Sequence, residues 1–477
     1  MKSILLRGAA LLDGTGAPAT NGDVLVIGDR IAEFGRFEAP ADAEVVDCRG
    51  LTIAPGFIDA HSHSDLQVLE RRPEKILQGV TSEVVGNCGF SPYPAAGDAA
   101  ALHEFANGIF HGGGGWGWPS ARAYLEDTSK GSGYTHAASL AGHGSLRIAQ
   151  VGHRLGALAA SELDALAGSL DQSLDGGACG FSTGLMYSPG ASAPFEELER
   201  LCSVVARHGK IYATHMRSYS SGLLDAIDEQ IALARRTGCR LQISHLQAVG
   251  KKNWPMQERA LERIEQARDA GLDIAFDCYP YIYGSTVLTQ LLPQWALGGG
   301  TDGLLARLAD ARERAKIAAE TLAAFEYAWT DLSISAVHSP ENAGLVGLSV
   351  ASIAQLRSRE PIEVVLELLA EERGAVNILE RNQSEENLRQ TLTHPLSVVI
   401  SDGFYVNGRP HPRLSGTFPF LLGHVVRRFG WLNLAEAVRK ITDAPARRFG
   451  FTHRGRLARG YFADLTVFDA DAIDSPA

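Results

Sequence analysis

Ala54-Pro55-Gly56-Phe57-Ile58-Asp59-Ala60-His61-Ser62-His63 is an apolar run that ends abruptly in two histidines one residue apart. An extended chain places residues i and i+2 on one face, so His61 and His63 can approach one ion together. Working outward from this stretch, eight strand-like runs stand at residues 51–60, 82–88, 136–142, 177–185, 211–215, 241–245, 272–279 and 397–402. Helical patterns fall between them. One opens at Ser161-Glu162 and stops at Gly176-Gly177; another opens at Pro255, sets Ala260, Ile264 and Ala267 on one face and stops at Gly271. After the eighth run, Leu434, Val438 and Ile441 follow the spacing i, i+4, i+7 before Pro445. Strands alternating with helices predict an α/β fold, and eight such strands predict a closed TIM-type (β/α)8 barrel rather than an open doubly wound sheet.

The chain ends read differently. Ile4-Leu5-Leu6, Val24-Leu25-Val26 and Asp29-Arg30-Ile31-Ala32 are short strands between turns, and Ala463-Asp464-Leu465-Thr466-Val467-Phe468 has the same character. A small β-sandwich-like domain built from residues 1–53 and 450–477 is therefore expected, around a barrel over 54–449. A βα unit needs roughly 30 residues, far fewer than separate the seventh and eighth runs. The excess predicts a partly helical insertion over the barrel mouth at about 285–340. Residues 112–115, all glycine and flanked by Trp116 and Trp118, predict a further long loop. No GK[ST] follows it, so it is not a phosphate-binding loop.

Composition narrows the function. With 44 basic and 55 acidic residues in 477, the net charge of −11 argues against a nucleic-acid partner, which calls for a concentrated basic face. Hydrophobic residues make up 45%, enough for a large core, yet no uninterrupted apolar run is long enough to span a membrane. The first residues lack the apolar core of a signal peptide, so a cytoplasmic protein is expected. The cysteines are scattered without a CxxC pair and read mostly as small buried hydrophobes.

Barrel enzymes carry their working residues at the C-terminal ends of strands. Here the first run ends in His61 and His63, the second in Cys88, the fifth in His215, the sixth in His245 and the eighth in Asp402. A lone strand-end histidine is ordinarily a hydrogen-bonded structural residue, and a lone Cys88 would be a buried hydrophobe. Candidate ligands at the ends of five separate strands are hard to produce by accident. Imidazole and thiolate donors favour zinc over magnesium or calcium, which prefer oxygen ligands. A catalytic zinc polarises a carbonyl and lowers the pKa of water to about 7. Asp402 then has a clear role, taking the proton of water and delivering it to a leaving nitrogen.

Further motifs stand in order along the chain. They include Gly86-Asn87-Cys88-Gly89-Phe90-Ser91-Pro92, Gly142-His143-Gly144 with Arg147, Phe181-Ser182-Thr183-Gly184-Leu185, and Thr214-His215-Met216-Arg217. Ile243-Ser244-His245, Tyr279-Pro280-Tyr281 with Gly284-Ser285-Thr286, and Ser401-Asp402-Gly403 with His411-Pro412-Arg413 complete the set. Together they resemble the D-aminoacylases, or N-acyl-D-amino-acid deacylases, of the amidohydrolase superfamily. The resemblance implies hydrolysis of small N-acyl-D-amino acids at a tight zinc held by Cys88, His215 and His245. It implies a second, weaker metal position at His61 and His63, with Cys88 and Asp402 near both and Asp402 as general acid/base. It also places the substrate's α-carboxylate on Tyr279, Ser285 and Arg413, where a guanidinium fork and two hydroxyls are apt donors. Members of the group can carry a basic residue two positions after the sixth-run histidine. Gln247 stands there, which leans the side-chain preference toward neutral or apolar D-residues over acidic ones.

Three rival readings compete with this one. A cyclic amidohydrolase of the hydantoinase or dihydroorotase kind would bridge two metals with a carboxylated lysine in the fourth run, and residues 177–187 contain none. A zinc deaminase would not carry Cys88. A non-catalytic metal-binding barrel would be free to lose Asp402 or a ligand, and none is missing.

Overall fold

Gly56 divides the first apolar run in two. A Cβ there would lie 2.2 Å from Thr81 Oγ1, and its N–H donates to the Asp464 carbonyl at 2.6 Å. The chain thus crosses from one sheet to another at a point too tight for any side chain. In this computed structural model the described residues are 3–38, 40–95, 99–111, 115–131 and 133–475. Of the glycine run at 112–115, residues 112–114 lie outside them.

Before Gly56 stand β1 (Ser3–Leu11), β2 (Thr20–Ile27), β3 (Arg30–Gly35), β4 (Glu44–Asp47) and β5 (Thr52–Pro55). After it come β6 (Phe57–Asp59), β7 (Val80–Val85), β8 (His136–Gly142), β9 (Gly180–Gly184), β10 (Ile211–His215), β11 (Arg240–Ile243) and β12 (Ile274–Cys278). The remaining strands are β13 (Tyr283–Val287), β14 (Leu332–Ala336), β15 (Asn377–Arg381), β16 (Ser397–Val399) and β17 (Leu465–Phe468). Strands β17-β5-β1-β2-β3 form one mixed sheet from the two ends of the chain, with β4 paired to β1.

The barrel is the parallel sheet β16-β12-β11-β10-β9-β8-β7-β6. Its two ends meet through residues just past the last strand. The Asp402 N–H donates to the His61 carbonyl at 2.8 Å and the His63 N–H to the Gly403 carbonyl at 3.0 Å. Closure of the barrel and placement of three candidate ligands are thus one event.

Helices cover the outside of the sheet. Ala160–Asp175 buries Leu166, Leu170 and Leu174, and Phe195–Arg207 buries Leu198, Leu201 and Val205. Met256–Asp269 buries Ala260, Leu261, Ile264 and Ala267. All join a single core with Phe181, Tyr212 and Phe276 of the strands, and each fully buried Leu or Phe contributes about 1.5–3 kcal/mol. Between β12 and β16 a separate core of Leu288, Ile334, Val365 and others lies under the antiparallel sheet β13-β15-β14 and its helices. Among the described residues no helix is long and apolar enough to cross a membrane.

Candidate metal centre

His215 is the last residue of β10, and the other candidate ligands follow the ends of β6, β7, β11 and β16. Three of them leave the strand in a left-handed backbone conformation: Cys88 at φ 52°, His245 at φ 36° and Asp402 at φ 50°. Each such residue costs about 1–3 kcal/mol and persists only where its surroundings enforce it. Here they do. The His245 N–H is held by Asp277 Oδ1 at 2.6 Å, and the Asp402 N–H by the His61 carbonyl. Cys88 is flanked by Gly86 and Gly89, both also at positive φ; a Cβ on Gly86 would strike the Leu140 carbonyl oxygen at 2.1 Å.

The result brings all the expected ligands together. Donor atoms of Cys88, His215 and His245 lie within 4.8 Å of one another, as do those of His61, His63 and Cys88. The Cys88 Sγ is 3.6 Å from His245 Nε2 and 3.3 Å from His61 Nε2. Zinc bond lengths of about 2.3 Å to sulfur and 2.1 Å to nitrogen, at a tetrahedral angle, separate S and N by about 3.6 Å. Asp402 Oδ1 is 3.3 Å from both His61 Nε2 and His63 Nε2.

The residues fit a metal in a second way. Both ring nitrogens of His215 are buried without a hydrogen-bond partner among the described residues, so one of them is free to ligate an ion. An unsatisfied buried donor or acceptor costs about 1–3 kcal/mol, which ligation would offset. Burial, reinforced by neighbouring His245, holds His215 well below its ordinary pKa, and burial lowers His245 to about 4. Both are therefore neutral imidazoles, the form that donates to a metal. Burial pushes the Cys88 thiol up while His61 pulls it down. Burial also works to raise Asp402, but Arg413 and His61 prevail and hold it well below the usual carboxylate range.

Tyr279, Ser285 and Arg413 converge on the same cavity, of about 440 Å³, whose floor includes Cys88, His215, His245 and Asp402. Arg413 Nη1 forms an ion pair with Asp402 Oδ2 at 2.9 Å, and its Nη2 donates to the Ser285 carbonyl at 3.1 Å. Its guanidinium lies 4.8 Å from the Tyr279 ring centroid. Its Nε is buried with no partner among the described residues.

Lys75, Glu83 and Asp277, which help to shape this centre, belong to no motif of the sequence. Asp277 holds the His245 backbone, approaches His61 Nδ1 at 3.5 Å and accepts from Gln242 at 2.9 Å. Beneath the histidines, Lys75 Nζ donates to Asp59 Oδ2 and Ser401 Oγ, both at 2.6 Å. Ser62 donates to Glu83 Oε2 at 2.8 Å, and Lys75 lies 3.8 Å from that oxygen. The signal that marks them is an acid inside an otherwise apolar run, as at Asp59, Glu83 and Asp277. His143 and Arg147, which the sequence presents only as parts of a motif, both close on Glu197 at 2.8 Å.

Comparison with known proteins agrees with this architecture. The chain is 34% identical to a D-aminoacylase of Alcaligenes xylosoxydans xylosoxydans, over 99% of its own length and 89% of that protein. It is 35% identical to an N-acyl-D-glutamate deacylase of the same organism, over 98% and 88% respectively. It is also similar to the crystal structure of the N-acyl-D-glutamate deacylase of Bordetella bronchiseptica, complexed with zinc and a phosphonate inhibitor that mimics the tetrahedral intermediate. That likeness has a TM-score of 0.84 at 32% identity and covers 100% of this chain and 92% of the other. The sequence model of the amidohydrolases matches residues 44–477, and with these full-length likenesses it places the conclusion beyond the fold alone: the chain belongs to the amidohydrolase family.

Proposed function

We propose that the protein hydrolyses the amide bond of N-acyl-D-amino acids at a zinc centre, releasing a D-amino acid and a carboxylate. The observation that carries this reading is the pair of donor triads sharing Cys88, with Asp402 and Arg413 at their edge. The activities named for its relatives supply the D-configuration and the linear amide. A ring-opening amidohydrolase is disfavoured because β9 offers no lysine to bridge two metals.

Cys88, His215 and His245 would hold the tight zinc; His61 and His63, with Cys88 and Asp402 beside them, would form the weaker position. The chemistry zinc supplies in such a donor set is Lewis acidity toward a carbonyl and acidification of water. The rest falls to side chains. Arg413, Tyr279 and Ser285 hold the substrate's α-carboxylate, which orients the scissile amide toward Cys88 and Asp402. Because Arg413 occupies Asp402 Oδ2, Oδ1 is the atom that accepts the proton of attacking water and returns it to the leaving nitrogen.

The test is a panel of N-acyl D- and L-amino acids, with hydantoins and dihydroorotate as cyclic controls, on protein of known zinc content. Turnover confined to linear D-substrates is the expected result. Preference for L-substrates or cyclic amides would sink the reading.

A further inference from the structure

The three curated relatives named for D-aminoacylase, D-glutamate and D-aspartate activity are 34%, 35% and 32% identical to this chain. Overall likeness therefore does not choose a side chain, and the charges lining the cavity must. Among the described residues two cations line it, Arg217 and Arg413. Arg217 is taken up by Glu229 at 2.8 Å and by the Ala191 and Ala193 carbonyls. Arg413 is committed to Asp402 and to the reading of the α-carboxylate. Neither is left to meet an acidic side chain.

Carboxylates line it too. Glu326 pairs with Lys252 at 3.3 Å, and Glu320 accepts from the Trp295 indole at 2.6 Å. Glu380 differs: it is 6% exposed, and among the described residues no cation lies within ion-pair distance of it. It sits on β15 directly opposite Gly284, next to Ser285. A Cβ on Gly284 would fall 2.2 Å from the Asn382 side-chain amide and 3.0 Å from the Tyr279 hydroxyl. The glycine thus clears a path along a chain of polar groups. Tyr279 donates to Gln247 Oε1 at 3.0 Å. With its amide turned to suit its neighbours, Asn382 accepts from Gln247 Nε2 at 3.1 Å and donates to Glu380 Oε1 at 3.2 Å. Burial pushes the Glu380 carboxyl up, against hydrogen bonds from Tyr327 and Asn382 that pull it down. It is a buried acid in want of a counter-charge.

We propose that Glu380 is the residue that selects the substrate side chain, and that the preferred substrate is an N-acyl-D-amino acid with a guanidinium or ammonium side chain paired to the Glu380 carboxylate. This rests on the deacylase reading above. Gln247 and Asn382 supply neutral acceptors along the approach, and the carboxylate-rich wall repels D-glutamate and D-aspartate derivatives.

The experiment measures kcat and KM for N-acetyl-D-arginine, D-lysine, D-leucine and D-glutamate on zinc-loaded protein, with the wild type and Glu380→Gln. In the wild type, kcat/KM for the arginine or lysine substrate is expected to exceed that for leucine by about tenfold or more, with glutamate the poorest. Glu380→Gln should reduce the cation-to-leucine ratio by about tenfold, chiefly by raising KM for the cationic substrate. Preference of the wild type for leucine or glutamate overturns the proposal, and that comparison stands even if the variant fails to fold. An unchanged ratio in a folded, zinc-loaded variant also overturns it. If the zinc-loaded wild type hydrolyses none of the four, the deacylase reading itself falls and takes this proposal with it.

Discussion

Asp402 is bent into a left-handed turn at φ 50° and held between two histidines on one oxygen and Arg413 on the other. Under the proposed function that placement would give it proton transfer rather than the main burden of metal binding, since Cys88, His215 and His245 form a triad without it. Asp402→Asn keeps the size and the backbone N–H that closes the barrel, and removes the basic oxygen. The expected outcome is a fall in kcat of about 10²–10⁴-fold with the tight zinc retained, measured by metal analysis and turnover on the same sample. Full turnover in a zinc-loaded variant would remove Asp402 from the chemistry. The residue type and strand-end position of Asp402 were legible in the sequence, because a charged group ending an apolar run has few structural uses. Its left-handed turn was not, since the hydrogen bond that enforces it comes from His61, brought there by closure of the barrel.

At the scale of elements, the helix Phe195–Arg207 is tied to the helix His143–Val151 by one buried carboxylate. Glu197 accepts from His143 Nε2 at 2.8 Å and from Arg147 Nη1 at 2.8 Å through each of its oxygens. Burial works to raise Glu197, but His143 and Arg147 bring it below its ordinary value of 4.5. The sign follows from linkage: a carboxylate depressed on folding stabilises the fold fully above its unfolded pKa, and the contribution is lost as pH falls through the folded value. Glu197→Gln leaves the buried Arg147 without its counter-charge, a loss of about 3 kcal/mol. The gap in Tm between wild type and variant should be widest near neutral pH and narrow as pH drops below 4.5. A gap independent of pH across that range would show that the charge of Glu197 is not what ties the helices. That helices fall between the strand-like runs was legible in the sequence, though periodicity singles out neither of these two. Their tie was not legible, because Glu197 reads as an ordinary exposed first-turn acid until the fold brings Arg147 beneath it. The sheet β13-β15-β14 was likewise hidden, since its strands are short and separated by helices that dominate the local pattern.

Across the whole molecule, the barrel was legible because its strands alternate with helices, whereas the seam that closes it was not. The first and last barrel strands, β6 and β16, are joined past their ends by two backbone hydrogen bonds and by Lys75 bridging Asp59 and Ser401. The candidate ligands sit directly above this seam and across the ring on β10 and β11. A metal ion held there would couple strands that are far apart in the chain, so its binding energy would appear as stability of the entire barrel. An ion at about 100 times its dissociation constant adds about 2.7 kcal/mol to the folded state, or a Tm rise of roughly 3 °C for a chain this large. Exhaustive chelation is therefore expected to lower Tm by about that amount, and zinc added back should restore it. Cys88→Ala removes the donor common to both triads, so its Tm should respond far less to zinc over the same concentration range. Equal Tm values for chelated and zinc-loaded wild type would show that these donors hold no ion in the native state. A zinc response in Cys88→Ala as large as the wild type's would place the ion elsewhere, because without the thiolate neither histidine pair retains the donor that links the two halves of the site.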